Sequence, residues 1–260
     1  MTVTMQESRK FQIQEKREYK VIKSNELIQR TRFILTSQEQ KIILYLISKI
    51  KPEDMELMEQ DFQIRDFCDI CESEKDSGAN YKYIKNSLKN LRDKSIWLKL
   101  PNGSETTLSW FSRVTLNENS GTVKIKFDDM MTPHLLHLKE QYTQFSINYV
   151  LAMRSLYSPR LYELLKSYEN IGSWKFSVEE LKSKLYAETY KRYPDFKRKV
   201  IDTAVREINS FGDIFVSYQV EKKGNKVTHI LFEIRPKTDC LERAYTYANI
   251  EDALGKKKTT

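Results

Sequence analysis

Basic and aromatic residues interleave most densely at Tyr190-Lys191-Arg192-Tyr193-Pro194-Asp195-Phe196-Lys197-Arg198-Lys199, a composition suited to gripping a polyanion. Phe196, Val200, Ala204 and Ile208 recur every four residues, which predicts a helix over 193–209 with one buried face. Asp195, Arg198, Lys199, Asp202 and Arg206 then point away from that face. Arg and Lys in the first turns of such a helix suit guanine edges, and Arg can pair with them bidentately. A solvated face on an ordinary amphipathic helix is the competing explanation. Lys222, Lys223 and Lys226 surround Gly224-Asn225 between two strand-like runs, 214–220 and 227–234. A lysine-rich hairpin tip lies well along phosphates, where it adds affinity but little sequence information. The same lysines also keep edge strands from pairing.

Other chemistries find poorer material. Cys68-x-x-Cys71 and His134-x-x-His137 have the residue types of a zinc site. The histidines are spaced too closely for a finger and the pairs lie far apart, so packing roles are expected and no metal. Only 7 glycines are present and none forms a phosphate-binding loop, so no nucleotide cofactor is expected. A nicking enzyme would want two histidines flanking one apolar residue, plus a tyrosine nucleophile; Asp128-Asp129 reads more simply as a strand end. The expectation is a protein that binds rather than catalyses.

The surrounding elements give the basic helix its setting. Ser177-Val178-Glu179-Glu180 reads as a capping box that opens a helix over 178–185, just before the basic one. Ser158–Tyr168 reads as a helix with Pro159 in its first turn, and Trp174-Lys175-Phe176 as a short strand. The first half follows the same order. Thr36–Gln40 caps a helix through Ile42, Ile43, Leu46, Ile47 and Ile50, closed by Pro52. Phe62–Ile64 is extended and leads into Arg65–Cys71. After the polar stretch 73–80, a helix over 81–94 buries Ile84, Leu88 and Leu91. Strands follow at 96–100, 107–116 and 123–127, with turns at Pro101-Asn102-Gly103 and Asn119-Ser120-Gly121.

Each half therefore reads helix, short strand, helix, longer helix, hairpin, the order of a winged helix. The predicted fold is α+β and helix-rich, with tandem winged-helix domains forming a pseudo-repeat. The expected divisions are a flexible tail at 1–23, a first domain at 24–137, a second at 138–236 and a C-terminal tail at 237–260. Arg9, Lys10, Lys16 and Arg17 in the first tail are either free to touch phosphate or part of a frayed end.

The chain has 260 residues and a net charge of +8. Residues 138–236 hold 17 Lys/Arg against 12 Asp/Glu, whereas 1–137 hold 22 against 20, so the excess sits in the second domain. That domain is expected to be the main DNA reader. In the first, Lys82, Lys85 and Lys89 flank the buried face of the long helix and predict an auxiliary, weaker DNA contact, with dimerisation a competing role. No apolar run is long enough to span a bilayer, and three cysteines make no disulfide framework, so a cytoplasmic, reduced protein without membrane partners is expected.

Residues Met153-Arg154-Ser155-Leu156-Tyr157-Ser158-Pro159-Arg160-Leu161-Tyr162-Glu163-Leu164-Leu165-Lys166, with Asp195–Val200 and Arg206-Glu207-Ile208-Asn209, resemble the replication initiators of iteron-bearing plasmids. Fainter matches at 24–27, 35–50 and 124–138 extend the likeness over roughly 24–235. Pro159 departs from it, since an aliphatic residue is commoner there. The resemblance implies two winged-helix domains that bind direct repeats of double-stranded DNA at an origin. It also implies a homodimer in equilibrium with monomer, repression of the protein's own promoter by the dimer, and recruitment of the host initiator and replicative helicase. On the same ground Ser158 and Arg160 should hold phosphate at the start of their helix, and Lys197, Arg198 and Arg206 should lie at the DNA face. Lys191, Arg192 and Lys199 join them from the basic segment itself. A plain repressor without origin function, and less readily a rolling-circle nicking enzyme, are the alternatives.

Overall fold

The computed structural model describes residues 5–51, 53–71, 78–116 and 120–255, with only the backbone of 5–8, 10 and 78–80. The expected stop at Pro52, most of the polar stretch 73–80, the turn residue Asn119 and the side chain of Lys10 lie outside the described residues. The chain opens with helix α1 (Met5–Arg17), strand β1 (Lys20–Ser24), α2 (Asn25–Gln29) and β2 (Thr31–Arg32). The first winged helix then runs α3 (Ser37–Ile47), β3 (Gln60–Gln63), α4 (Ile64–Ile70), α5 (Gly78–Asp93), β4 (Ser95–Lys99), β5 (Glu105–Ser109), β6 (Phe111–Leu116) and β7 (Thr122–Phe127). A 3-10 turn (Asp129–Met131), α6 (Thr132–Leu135), β8 (Tyr142–Ser146) and α7 (Asn148–Leu151) lead into the second. That unit runs α8 (Ser158–Lys166), β9 (Ser173–Ser177), α9 (Val178–Lys184), α10 (Tyr193–Phe196), a π-helical turn (Lys197–Ile201), α11 (Asp202–Phe211), β10 (Ile214–Lys223) and β11 (Lys226–Pro236); α12 (Cys240–Gly255) follows.

The two units repeat in topology. In the first, β7 sits between β3 and β6; in the second, β11 sits between β9 and β10. Each three-stranded antiparallel sheet thus pairs the strand before the short helix with the last strand of the wing. The repeat is imperfect in one place. The single strand expected over 107–116 breaks at the fully buried Trp110, so β5 pairs with β4 while β6 pairs with β7. An extra hairpin, β4–β5, is thereby inserted between the long helix and the wing, and it adds to β2.

Within the expected tails, the described residues 5–23 and 237–255 are largely regular structure, while 1–4 and 256–260 lie outside the described residues. Arg9 of α1 makes a bidentate pair with Asp69 (3.1 and 2.8 Å), and Lys16 pairs with Asp66 at 2.6 Å. Arg17 donates to the Ile70 carbonyl (2.9 Å) and to Glu251 (2.9 Å), so α1 lies on α4 and reaches α12. Helix α12 buries Thr246, Ile250 and Leu254, spaced four apart along one face. Local polarity hid these elements, because few apolar residues suffice when charged partners elsewhere in the fold complete the packing.

The expected boundary at 137/138 also moves. Strand β8 pairs antiparallel with β1, from Lys20↔Ser146 to Ser24↔Tyr142, so residues beyond 138 complete the first unit. Helix α8 is buried along Ser158–Leu165 and serves both units. It meets the first through Lys23 Nζ–Glu163 Oε1 (2.6 Å) and the second through Tyr162 Oη–Asp213 (2.7 Å) and Lys166–Asp213 (2.9 Å).

Candidate nucleic-acid interface

The basic helix forms where its sequence places it, and its core face is as read: Phe196, Val200, Ala204 and Ile208 are fully buried. A strict four-residue repeat overshoots an α-helical turn by about 40° per step, since the helix advances about 100° per residue. The π-helical turn at Lys197–Ile201 absorbs that excess and keeps all four side chains against the core. Helix α9 precedes it, capped by Ser177 Oγ, which accepts from the Glu180 amide at 3.0 Å. The reciprocal bond from Glu180 is not made; the full capping box sits instead at Thr36 and Glu39.

The wing is longer than expected. Strands β10 and β11 pair up to Lys223↔Lys226, leaving a two-residue turn, Gly224-Asn225. Gly224 adopts φ +61°, the left-handed conformation that such tight hairpin turns demand. Lys222, Lys223 and Lys226 are all exposed at this tip.

Helix α9, the start of the basic helix and the wing enclose a groove of about 830 Å³. Lys182, Lys191, Lys197, Lys222 and Lys226 line it with Asn225, over a floor that includes Val178, Val220 and Val227. The acid among its lining residues is Glu179, 3.5 Å from Lys226. A cationic trough between the basic helix and the wing is electrostatically suited to a phosphate backbone. Lys182 was not singled out in the sequence. Its signal was its place four residues after Val178 on the helical face towards the basic segment; its Nζ donates to the Tyr190 carbonyl at 2.6 Å.

The remaining predicted residues separate into groups. Arg198 is exposed over 74% of its side chain, with Asp195 at 3.6 Å. Arg192, Lys199 and Arg206 are likewise exposed, Lys199 lying 6.0 Å over the Tyr190 ring. Lys197 is engaged with Asp202 (2.9 and 3.1 Å). The bonds to Asp202 raise the pKa of Lys197. Burial separately pushes the Tyr218 hydroxyl up to about 12.

Ser158 and Arg160 correct the expectation drawn from resemblance. Both are buried, at 0% and 3% exposure. Arg160 Nη2 donates to the carbonyls of Ile28 (2.8 Å) and Thr31 (2.7 Å), and its guanidinium stacks 4.6 Å from the Phe33 ring. Burial pushes its pKa down while Glu163 pulls it back up. Neither side chain can reach a phosphate in this conformation; Arg160 holds α8 to the α2–β2 segment, whereas the buried Ser158 hydroxyl has no hydrogen-bond partner.

In the first unit, Lys82 and Lys89 are exposed on α5 and Lys85 is half-buried, beside the fully buried Ile84, Leu88 and Leu91. The wing here is more nearly neutral. Arg113 pairs with Glu59 (2.9 Å), Lys124 lies 3.9 Å from both Glu59 and Asp61, and Lys126 is 3.4 Å from Asp129. Cys68 and Cys71 are buried in and just after α4, while His134 Nδ1 is 3.0 Å from Ser24 Oγ, so the two pairs serve separate elements. Among the described residues no three His, Cys, Asp or Glu side chains cluster to hold a metal, and no helix is long and apolar enough to cross a membrane. Asp128 caps the 3-10 turn, accepting from the Met130 amide at 3.0 Å.

Residues 20–166 match the profile described as Initiator Replication protein, WH1, and residues 177–234 match Initiator Rep protein, WH2. The chain belongs to the initiator Rep protein family. The two matches fall on the two winged helices, and the first extends through β8 and α8, as the strand pairing requires. This Rep protein also shares its fold with a crystal structure of Pi initiator protein in complex with iteron DNA. The two are 23% identical with a TM-score of 0.70, over 86% of this chain and 99% of that one. Domains 2 and 3 of RctB align more loosely, at 13% identity and a TM-score of 0.49 over 80% and 86% of the two chains. An uncharacterized 27.6 kDa protein of Escherichia coli is 22% identical over 129 residues, 49% of this chain and 54% of that protein. The match thus spans about half the length of that curated relative.

Proposed function

We propose that this Rep protein initiates plasmid replication by binding direct repeats, or iterons, of double-stranded DNA at the origin, with its second winged helix as the main reader. The observation that carries the reading is the groove of five lysines between α9, the basic helix and the wing, with Arg198 and Arg206 exposed on that helix. Its role is non-enzymatic: it grips and deforms DNA, and the chemistry of synthesis belongs to recruited host proteins. Lys82, Lys85 and Lys89 of the first unit add a weaker phosphate contact, and that unit carries the homodimer contact. The dimer represses the protein's own promoter, whereas the monomer binds the repeats and recruits the host initiator and helicase in the cytoplasm.

Supplying the chain in trans to a plasmid deleted for it tests the reading. Restored replication is expected; operator binding without restored replication would instead make the protein a plain repressor. Incubation of supercoiled origin DNA with a divalent metal addresses a nicking activity, for which no cleavage is expected.

A further inference from the structure

Lys197 lines the groove, yet its ammonium is committed elsewhere. Its Nζ lies 2.9 and 3.1 Å from the two Asp202 oxygens and 5.7 Å from the Tyr218 ring centre. Tyr218 Oη donates to the same Asp202 carboxylate from strand β10. Lys197 and Asp202 are five residues apart, a spacing that leaves two side chains about 140° apart on an α-helix. They meet because the backbone between them is a π turn, in which the Asp202 amide bonds to the Lys197 carbonyl. A second side chain marks the same winding: Thr203 Oγ1 donates to the Arg198 carbonyl, again five residues back, at 3.2 Å.

We propose that Lys197, Asp202 and Tyr218 form a lock that fixes the π turn, and that Lys197 serves DNA recognition as a positioning residue rather than as a phosphate contact. The inference rests on the second winged helix being the DNA reader. The turn sets how Arg198 and Lys199, which lie within it, are rotated relative to Arg206, which lies beyond it on α11. Rewinding to a regular α-helix would turn the two sets against each other and misalign the face offered to the major groove. The lock also ties that winding to the wing, because Tyr218 belongs to β10.

The test uses the full chain and compares affinity for a cognate repeat with that for a random duplex across a salt series. Tyr218→Phe removes one hydroxyl and no charge. It is expected to lower cognate affinity about tenfold while leaving random-DNA affinity and the salt slope unchanged. Lys197→Met is expected to cut discrimination similarly without making the salt slope shallower. The double variant should be no worse than either single one, as for residues acting as a unit. Equal losses on cognate and random DNA for Lys197→Met, with a slope shallower by about 0.9, would make Lys197 a phosphate contact and overturn the proposal. Unchanged discrimination in Tyr218→Phe would overturn it too, and this variant suffices if Lys197→Met folds poorly. Absence of discrimination by the wild type would remove the DNA-reading function itself, and the lock's role with it.

Discussion

Replacing Arg160 by Ala should cost stability and leave DNA binding alone. The guanidinium is buried between α8 and the α2–β2 segment, where it donates to two backbone carbonyls at 2.7 and 2.8 Å. Each such charged hydrogen bond contributes about 1.5–3 kcal/mol net, and its stacking on Phe33 adds up to about 2 kcal/mol when desolvated. Against these stands the desolvation of the charge, with Nε and Nη1 buried without hydrogen-bond partners. Truncation leaves the Ile28 and Thr31 carbonyls unpaired and a void beside Phe33. Glu163 keeps its 2.6 Å partner Lys23, so the network is reduced rather than abolished. The expected loss is about 3–5 kcal/mol, from two lost charged hydrogen bonds offset in part by the relieved desolvation of the guanidinium. Urea unfolding measures it, and fluorescence anisotropy with a labelled repeat, at a temperature where the variant stays folded, measures binding. Near-wild-type stability with weakened DNA binding and a shallower salt slope would refute the buried role and restore the phosphate contact.

Other outcomes follow from the same geometry. Ser158→Ala should be neutral or stabilising by up to about 1 kcal/mol, because it removes a buried hydroxyl with no partner; denaturant midpoints read this directly. Arg198→Ala should cost about 1–3 kcal/mol at the cognate repeat and flatten sequence discrimination, read by competition binding against point-mutated repeats. Lys223→Ala or Lys226→Ala should weaken all sequences alike and make the salt slope shallower by about one unit. Burial lowers the pKa of His134, so the folded state keeps this ring neutral. Its contribution to stability is then present above the ordinary value of 6.5 and lost as pH falls below it, through the lowered folded pKa. Unfolding free energies between pH 7 and pH 5 should decline more steeply in the wild type than in His134→Gln.

The sequence made the second winged helix legible because its signals are local. The period of Phe196, Val200, Ala204 and Ile208, the cap at Ser177 and the glycine turn between lysines each act within a few residues. The tandem repeat was legible for the same reason. The inserted β4–β5 hairpin was not, since nothing near Trp110 distinguishes one long strand from two that serve different sheets. Helices α1 and α12 were missed because their stability comes from distant partners, Asp69, Asp66 and Glu251 among them. Arg160 shows the limit of resemblance. An arginine near a helix start suits a phosphate or a pair of backbone carbonyls equally, and only the tertiary packing decides. Lys197 shows another limit, because the four-residue core period hinted at unusual winding, but its pairing with Asp202 is visible only once the π turn is in place.

The most direct test of the central claim is a hydroxyl-radical footprint of the purified protein on the DNA flanking its own gene. Protection of several direct repeats beside an AT-rich tract, lost in Arg198→Ala, is the predicted result. A single protected inverted repeat, or protection unchanged by Arg198→Ala, would contradict the account.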